Sequence, residues 1–275
     1  MSDWVPQPRT LVDTITPWPV RAMRGLLDQE PVAAEGDELP LGWHWLFFKE
    51  LVRASKMGAD GHPKRGTFLP PLELPRRMWA GGSLVAHKPV VIGEPAELRS
   101  RVTDVVEKEG RSGPLVFVTV GHEVHQGGLA VEEVQTLVYR GDDEEGTRAP
   151  SSSPAPPPAP VAWSEDFAAT PVMLFQFSAL TYNAHRIHYD HPYVTEHEGY
   201  DGLLVHAPLT ALALLDACGR HQGPTRSYRY RATAPLFADQ PVRLMGRGPD
   251  AMDPETFIAE AVADSGQMVM RGRIG

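Results

Sequence analysis

A run of prolines in the middle of the chain constrains the fold more than any other feature of the sequence. Residues 150–160 read Pro-Ser-Ser-Ser-Pro-Ala-Pro-Pro-Pro-Ala-Pro, directly after the acidic stretch Gly-Asp-Asp-Glu-Glu-Gly-Thr at 141–147. Proline carries no backbone N–H, so this stretch cannot join a helix or a sheet and reads as an extended spacer. The acidic run before it reads as a solvated loop. The 275 residues are thereby divided into an N-terminal domain (1–145), a linker (146–160) and a C-terminal domain (161–275). Each is large enough to bury a core of its own.

The two parts repeat one pattern. In the first, 78–84 leads through Lys88-Pro89-Val90-Val91-Ile92-Gly93 to 96–102; in the second, 227–233 leads through Ala234-Pro235-Leu236-Phe237-Ala238-Asp239 to 241–244. Two further alternating or β-branched runs follow in each, at 115–121 and 129–139, and at 256–262 and 267–273. Alternation with period two, bounded by Gly and Pro, predicts antiparallel hairpins. Thr170-Pro171 is a cap and first-turn pair for a helix to about Thr181. A longer helix is expected from Pro208 to about Arg220, and its all-round apolarity over Leu209 to Leu215 asks for burial on most sides. Trp43-His44-Trp45-Leu46-Phe47-Phe48 begins a weaker buried counterpart in the first half. The fold class is α+β, in two similar units that each curl a sheet around a helix.

Several functional classes are disfavoured. A net charge of −9 argues against neutralising nucleic acid or an anionic membrane. One cysteine, Cys218, excludes an intrachain disulfide and any multi-thiolate site, and is expected in the core. The start carries no basic region followed by an apolar run, and the longest apolar stretch, 208–217, is too short to span a bilayer, so a cytoplasmic location is expected. No glycine pattern for a nucleotide or phosphate is present, so no redox cofactor is expected.

Polar side chains concentrate between 177 and 206, where four of the eleven histidines stand at 185, 188, 191 and 197. Histidine titrates nearest neutrality and suits proton transfer. A zinc site is disfavoured, because the spacing is not that of a helical His-Glu-x-x-His and a proline interrupts it; the expectation is no metal. His191 and His197 are read as loop residues.

Asn183-Ala184-His185-Arg186-Ile187-His188 resembles the motif Asp-x-Asn-Pro-(aliphatic)-His of MaoC-like and R-specific enoyl-CoA hydratases. The span 181–190 is more similar to the type-2 hydroxyacyl-thioester dehydratase branch and the bacterial 3-methylfumaryl-CoA (mesaconyl-CoA) hydratases beside it. The resemblance continues through Gly202-Leu203-Leu204-Val205-His206-Ala207-Pro208-Leu209, and in the first half through 39–45, Asp60-Gly61-His62, 68–71 and 75–82. It implies a double hot-dog fold with the catalytic loop in the C-terminal unit and a degenerate N-terminal unit whose role is to shape the acyl pocket or is structural. It also implies reversible addition of water to an enoyl-CoA, with a branched dicarboxylic acyl group such as 3-methylfumaryl or itaconyl favoured. CoA enters only as part of the substrate.

The motif aspartate is replaced here by Asn183, which cannot accept a proton. His188 is therefore the expected general acid/base, with Asn183 orienting the water. The N–H of Ala207, at the start of the second helix, is the expected donor to the thioester oxygen. Supporting roles fall to Asp190, His185 and His206; for His206 a structural part in the turn weighs as much as a direct one, and for Asp190 loop capping does. Tyr189 is a further candidate. Arg186, Arg229 and Arg231 are candidate binders of CoA phosphates or a substrate carboxylate, with surface arginine as the alternative. Arg76 and Arg77, beside Trp79, are expected to pack against the other half. A homodimer is expected because fused units leave sheet edges exposed. The alternatives are a 3-hydroxyacyl-thioester dehydratase of fatty-acid or polyketide synthesis, a non-catalytic acyl-CoA binding protein, and a thioesterase.

Overall fold

The computed structural model describes residues 4–110, 113–141, 160–250 and 253–275. The expected linker, 146–160, lies outside the described residues except for Pro160. In chain order the elements are β1 (Arg9–Thr14), α1 (Pro17–Leu26), β2 (Arg76–Ala86), β3 (Pro95–Gly110), β4 (Gly113–His125), β5 (Leu129–Arg140), β6 (Val161–Phe167), α2 (Pro171–Thr181), α3 (Ala207–Gln222), β7 (Ser227–Ala232), β8 (Val242–Asp250), β9 (Asp253–Ala263) and β10 (Met268–Ile274).

Ten antiparallel strands form one sheet in the order β1-β3-β4-β5-β2-β7-β10-β9-β8-β6. The order is a mirror: each strand of the first half has its counterpart at the same distance from the β2–β7 seam. The seam itself pairs Gly81 with Arg231 through to Val85 with Ser227. This is the double hot dog that the resemblance implies.

The eight predicted strands and both predicted helices are present. Every residue from Leu209 to Leu215 is buried, as the apolarity of that helix requires. β1, α1 and β6 were not predicted. β1 and β6 are short edge strands of six and seven residues. Helix α1 opens on Thr16-Pro17, the same pair that opens α2 at Thr170-Pro171. Thr170 caps its helix through Oγ1, which accepts from Met173 N at 3.3 Å, whereas Thr16 makes no side-chain cap. The buried segment expected after Trp43 is a single 3₁₀ turn, Trp43–Leu46, and not a helix of the length of α3. One core joins both halves, with Val20 and Met23 of α1, Leu174 and Phe177 of α2 and the apolar faces of α3 in a single cluster. None of the helices among the described residues is long and apolar enough to cross a membrane.

A buried ion pair ties the seam to the first half. Glu133 on β5 is 3% exposed. Its carboxylate accepts from His44 Nε2 (2.7 Å), Trp45 Nε1 (3.0 Å) and Gln135 Nε2 (2.5 Å). Trp45 meets Trp79 edge-on at 5.4 Å, and Trp79 stacks on Tyr230 of β7 at 4.6 Å, so the network reaches the second half. Burial alone would raise the Glu133 pKa, but the hydrogen bond and charge of His44 outweigh it and hold the group down at about 2.

Because the folded pKa lies below the ordinary carboxylate value, this contribution to stability is present above about pH 4.5 and is lost as the pH falls towards 2. Glu133→Ala, which strands His44 in the core, is expected to destabilise the fold by about 3–5 kcal/mol in chemical denaturation. Glu133→Gln is expected to lose less and to flatten the acid dependence. A Glu133→Ala protein within 1 kcal/mol (~) of wild type would remove the pair from the account of stability.

Candidate active site

Helix α2 stops because Tyr182 adopts the left-handed conformation (φ 56°), and the chain then enters an irregular loop. Asn183 Oδ1 accepts from His185 N at 3.0 Å and so shapes the first turn. A 3₁₀ turn at Arg186–His188 follows. Asp190 holds this turn from behind: Oδ2 accepts from Arg186 Nε (2.9 Å) and Nη2 (2.7 Å), and Oδ1 accepts from Tyr193 N (3.1 Å). Leu204 N donates to Ile187 O at 3.0 Å, which brings the strand-like entry to α3 alongside the loop.

That docking fixes the tautomer of His188. Its Nδ1 lies 2.8 Å from the carbonyl oxygen of Leu204. A carbonyl can only accept, so Nδ1 carries the proton and Nε2 presents a lone pair. The ring is 7% exposed. It stacks on His206 at 3.6 Å and meets His185 edge-on at 5.5 Å, and His185 lies 4.0 Å from His62. Four imidazoles therefore stand in a row, His206–His188–His185–His62. At one end Ser178 Oγ lies 2.9 Å from His206 Nε2; at the other, Asp60 Oδ2 accepts from His62 Nδ1 at 3.2 Å.

Burial sets the charge of this row. It pushes His188 down to about 4 and His185 to about 2, and it lowers His62 and His206 as well. Each neighbouring imidazole adds to the cost of protonating the next. The row is neutral at pH 7. Burial would raise the Asp60 carboxyl, but the two hydrogen bonds from His62 hold it well below the usual range, so Asp60 is ionised.

The first half supplies one end of this site. Arg186 N donates to Asp60 O (2.9 Å) and its Nη1 to Ala59 O (3.1 Å), clamping loop 58–62 onto the loop that follows α2. The approach is so close that a Cβ on Gly61 (φ +88°) would lie 1.8 Å from Ala184 O. Asp60, His62 and His185 together offer ligand atoms within 4.8 Å of one another, a set able to hold a metal ion. An ion there would replace the Asp60–His62 hydrogen bond.

The structure brings together His188, Asn183, His185, His206, Asp190 and Ala207. Ala207 is the first residue of α3, with His206 as its N-cap, so its N–H has no intrahelical acceptor. His206 is 1% exposed, and its Nδ1 is sealed without a partner. The Asn183 carbonyl is taken up by the backbone, which leaves its amide nitrogen as the group able to hold a water. Tyr189 bonds Ala184 O through its hydroxyl. His191 and His197 are exposed, and Cys218 is buried in α3.

The candidate arginines fall in different surroundings. Arg186 is committed to Asp190 and lies 4.0 Å over the Tyr193 ring, so it braces the loop. Arg229 and Arg231 are exposed on the outer sheet face, while Tyr228 and Tyr230 between them turn inward to α3. They are not brought to His188. Arg76 does pack against the other half, donating to Glu198 O at 3.0 Å and lying 5.5 Å over Tyr200. Arg77 lines a cavity of about 290 Å³ with Gly58, Asp60, His62, Pro63, Lys64 and Arg65, and its charge acts on His185 of the second half. Asp60 and His62 had no role assigned from sequence, although the Asp-Gly-His triplet was a visible signal.

Known proteins share this architecture. A family model for hydroxyacyl-thioester dehydratase type 2 matches residues 42–238. The mesaconyl-C(4)-CoA hydratase of Chloroflexus aurantiacus is 41% identical over 248 residues, covering 89% of this chain and 88% of that one. Among solved structures, HtdX of Mycobacterium tuberculosis aligns with a TM-score of 0.65 at 18% identity, over 97% of this chain and 99% of that one. Another Mycobacterium tuberculosis protein, described as a double hot dog, aligns at 0.61 and 13% identity, over 98% and 96%.

Two measurements check the geometry. In ¹⁵N-detected NMR the His188 ring is expected to remain the neutral Nδ1–H tautomer from pH 7 to near 4; titration around 6.5 would contradict its burial. Depressed imidazole values also mean that the unfolded chain binds protons the fold refuses. Stability is thus full above pH 6.5 and declines as the pH falls towards 4. Separately, Gly61→Ala is expected to cost about 2 kcal/mol or more, since both the positive φ and the backbone overlap oppose a side chain. An unchanged melting temperature would mean that loop 58–62 does not dock as described.

Proposed function

The chain belongs to the hydroxyacyl-thioester dehydratase type 2 family, and from that premise we propose that it is a hydro-lyase adding water reversibly to an enoyl-CoA thioester. The favoured acyl group is branched and dicarboxylic, as in 3-methylfumaryl-CoA (mesaconyl-CoA), with citramalyl-CoA as the product. The observation that carries this reading is the locked His188 ring: Nδ1 is held by Leu204 O, and the lone pair of Nε2 makes no hydrogen bond to any described residue.

In the hydration direction, Nε2 of His188 takes a proton from water as the water oxygen bonds to the β-carbon. The C=C electron pair moves towards the thioester, whose oxygen gains enolate charge. The N–H of Ala207, at the positive end of α3, is the donor for that oxygen. The imidazolium then returns its proton to the α-carbon, and dehydration is the same path reversed. Asn183 holds the water by its amide nitrogen, because its oxygen is engaged with His185 N. Asp60 restores the negative charge that the Asn183 position lacks. Its carboxylate, relayed through His62 and His185, favours the imidazolium that forms briefly at His188.

No step of this scheme calls for a redox group or a metal, and CoA enters only as part of the substrate. The reading includes cytoplasmic residence, in keeping with the free buried thiol of Cys218, and a homodimer, in keeping with the edge strands β1 and β6. A 3-hydroxyacyl-thioester dehydratase acting on straight chains is the second reading, supported by the family description.

The test is a panel of enoyl-CoA thioesters assayed by mass spectrometry for the gain of one water, with His188→Ala beside wild type. Turnover of the branched dicarboxylic member is expected, with a loss of about 10³-fold in the variant. Preference for straight-chain members would move the protein to the second reading. Release of free CoA with no hydrated product would mean a thioesterase.

A further inference from the structure

The cavity beside the imidazole row carries more positive charge than its surroundings neutralise. Three cations line it: Lys64, Arg65 and Arg77. Two of them are engaged. Arg65 donates to the carbonyls of Leu72, Leu74 and Pro75 and lies 5.1 Å over the Tyr139 ring. Lys64 Nζ donates to Ser55 O at 3.1 Å. Arg77, on β2, makes no hydrogen bond or ion pair among the described residues.

The nearest anion cannot serve Arg77. Both Asp60 oxygens are taken by His62, Oδ1 by its backbone N (3.0 Å) and Oδ2 by its ring (3.2 Å). Glu50, in the adjoining cavity that shares Pro63, Lys64, Arg65 and Arg77, is paired with Arg9. A half-buried guanidinium without a partner is costly unless an anion arrives to share it. Its planar fork matches a carboxylate in two parallel hydrogen bonds.

The position of this cation decides which anion it meets. Arg77 shares its cavity with Asp60 and His62, and its charge acts on both His62 and His185. A group bound there lies at the His62–His185 end of the imidazole row, the end nearer the first half. The cavity, about 290 Å³, has room for a short branched acyl group.

We propose that Arg77 is the specificity residue of this enzyme, binding the carboxylate carried on the β-carbon of the acyl group and selecting dicarboxylic over monocarboxylic enoyl thioesters. The proposal rests on the hydratase reading above and adds to it the side chain that chooses the substrate. Lys64 and Arg65 contribute long-range charge, while Arg77 makes the contact.

The experiment compares kcat/KM for the 3-methylfumaryl thioester with kcat/KM for its analogue bearing a methyl group in place of the carboxylate. In the wild type the ratio is expected to exceed about 10²-fold in favour of the carboxylate, the scale of a charge-assisted pair of hydrogen bonds. Arg77→Gln is expected to bring the ratio near one, and Arg77→Lys, which keeps the charge but not the fork, to leave it in between. A ratio unchanged in Arg77→Gln, or a wild-type ratio near one, would overturn the proposal. So would equal loss on both substrates in Arg77→Gln and Arg77→Lys, the mark of a structural role.

A second arm separates this proposal from the reading beneath it. Binding of free methylfumarate is measured by calorimetry in wild type and Arg77→Gln. Arg77-dependent binding without turnover of any dicarboxylic thioester would keep the carboxylate site and sink the acyl assignment. No binding by wild type, with turnover also absent, would sink the site.

Discussion

Everything chemical in this molecule depends on the pairing of β2 with β7. Those two strands come from different halves of the chain, and their backbone hydrogen bonds turn two curled sheets into one. The approach is close. A Cβ on Gly82 would lie 2.2 Å from Val134 O and 2.6 Å from the Tyr230 hydroxyl, so glycine there is a condition for the Tyr230 ring to reach its place. Trp79 and Trp45 then pack on that ring, and Glu133 with His44 sets Trp45 from behind. Across the seam, loop 58–62 of the first half docks on the loop that follows α2 through Arg186.

Two clusters of acid and imidazole show how surroundings separate structural from chemical use. Glu133 and His44 are both sealed, and the carboxylate is met by three donor side chains, so the pair has no atom left for a ligand. Asp60 and His62 form the same kind of pair at the edge of a cavity, and His62 begins a row of rings that runs through His185 and His188 to His206. Burial keeps that row uncharged. A buried neutral imidazole responds strongly to a nearby fixed carboxylate, because burial weakens the screening of charge.

Much of the fold was legible in local sequence. Helix α2 begins and ends where Thr170-Pro171 and Thr181 place it, because a capping side chain and a proline act over a single turn. The strands around Leu115–Gly121 and Leu129–Tyr139 follow from alternation, which depends only on the pleat. β1, α1 and β6 escaped because they are brief and interrupted by charged residues, although Thr16-Pro17 repeats the signal of Thr170-Pro171. The turn that carries Asn183 and His188, and the start of α3 at Ala207, lie where the motif segments place them. The arginines were assigned by type alone, and type does not tell whether a guanidinium meets an aspartate, as Arg186 does, or faces outward, as Arg229 and Arg231 do.

What the sequence determined by itself is therefore whatever acts within a few residues: the caps, the alternation, the apolar helix, the turn that presents His188 and the substitution that leaves Asn183 without a charge. The tertiary structure alone decided that Asp60 and His62 stand beside His185, more than a hundred residues away. It also decided that Arg77 and not Arg76 looks into the cavity. The reason is physical: such contacts follow from strand order and from the bulge between Trp79 and Gly81, and no local propensity encodes either.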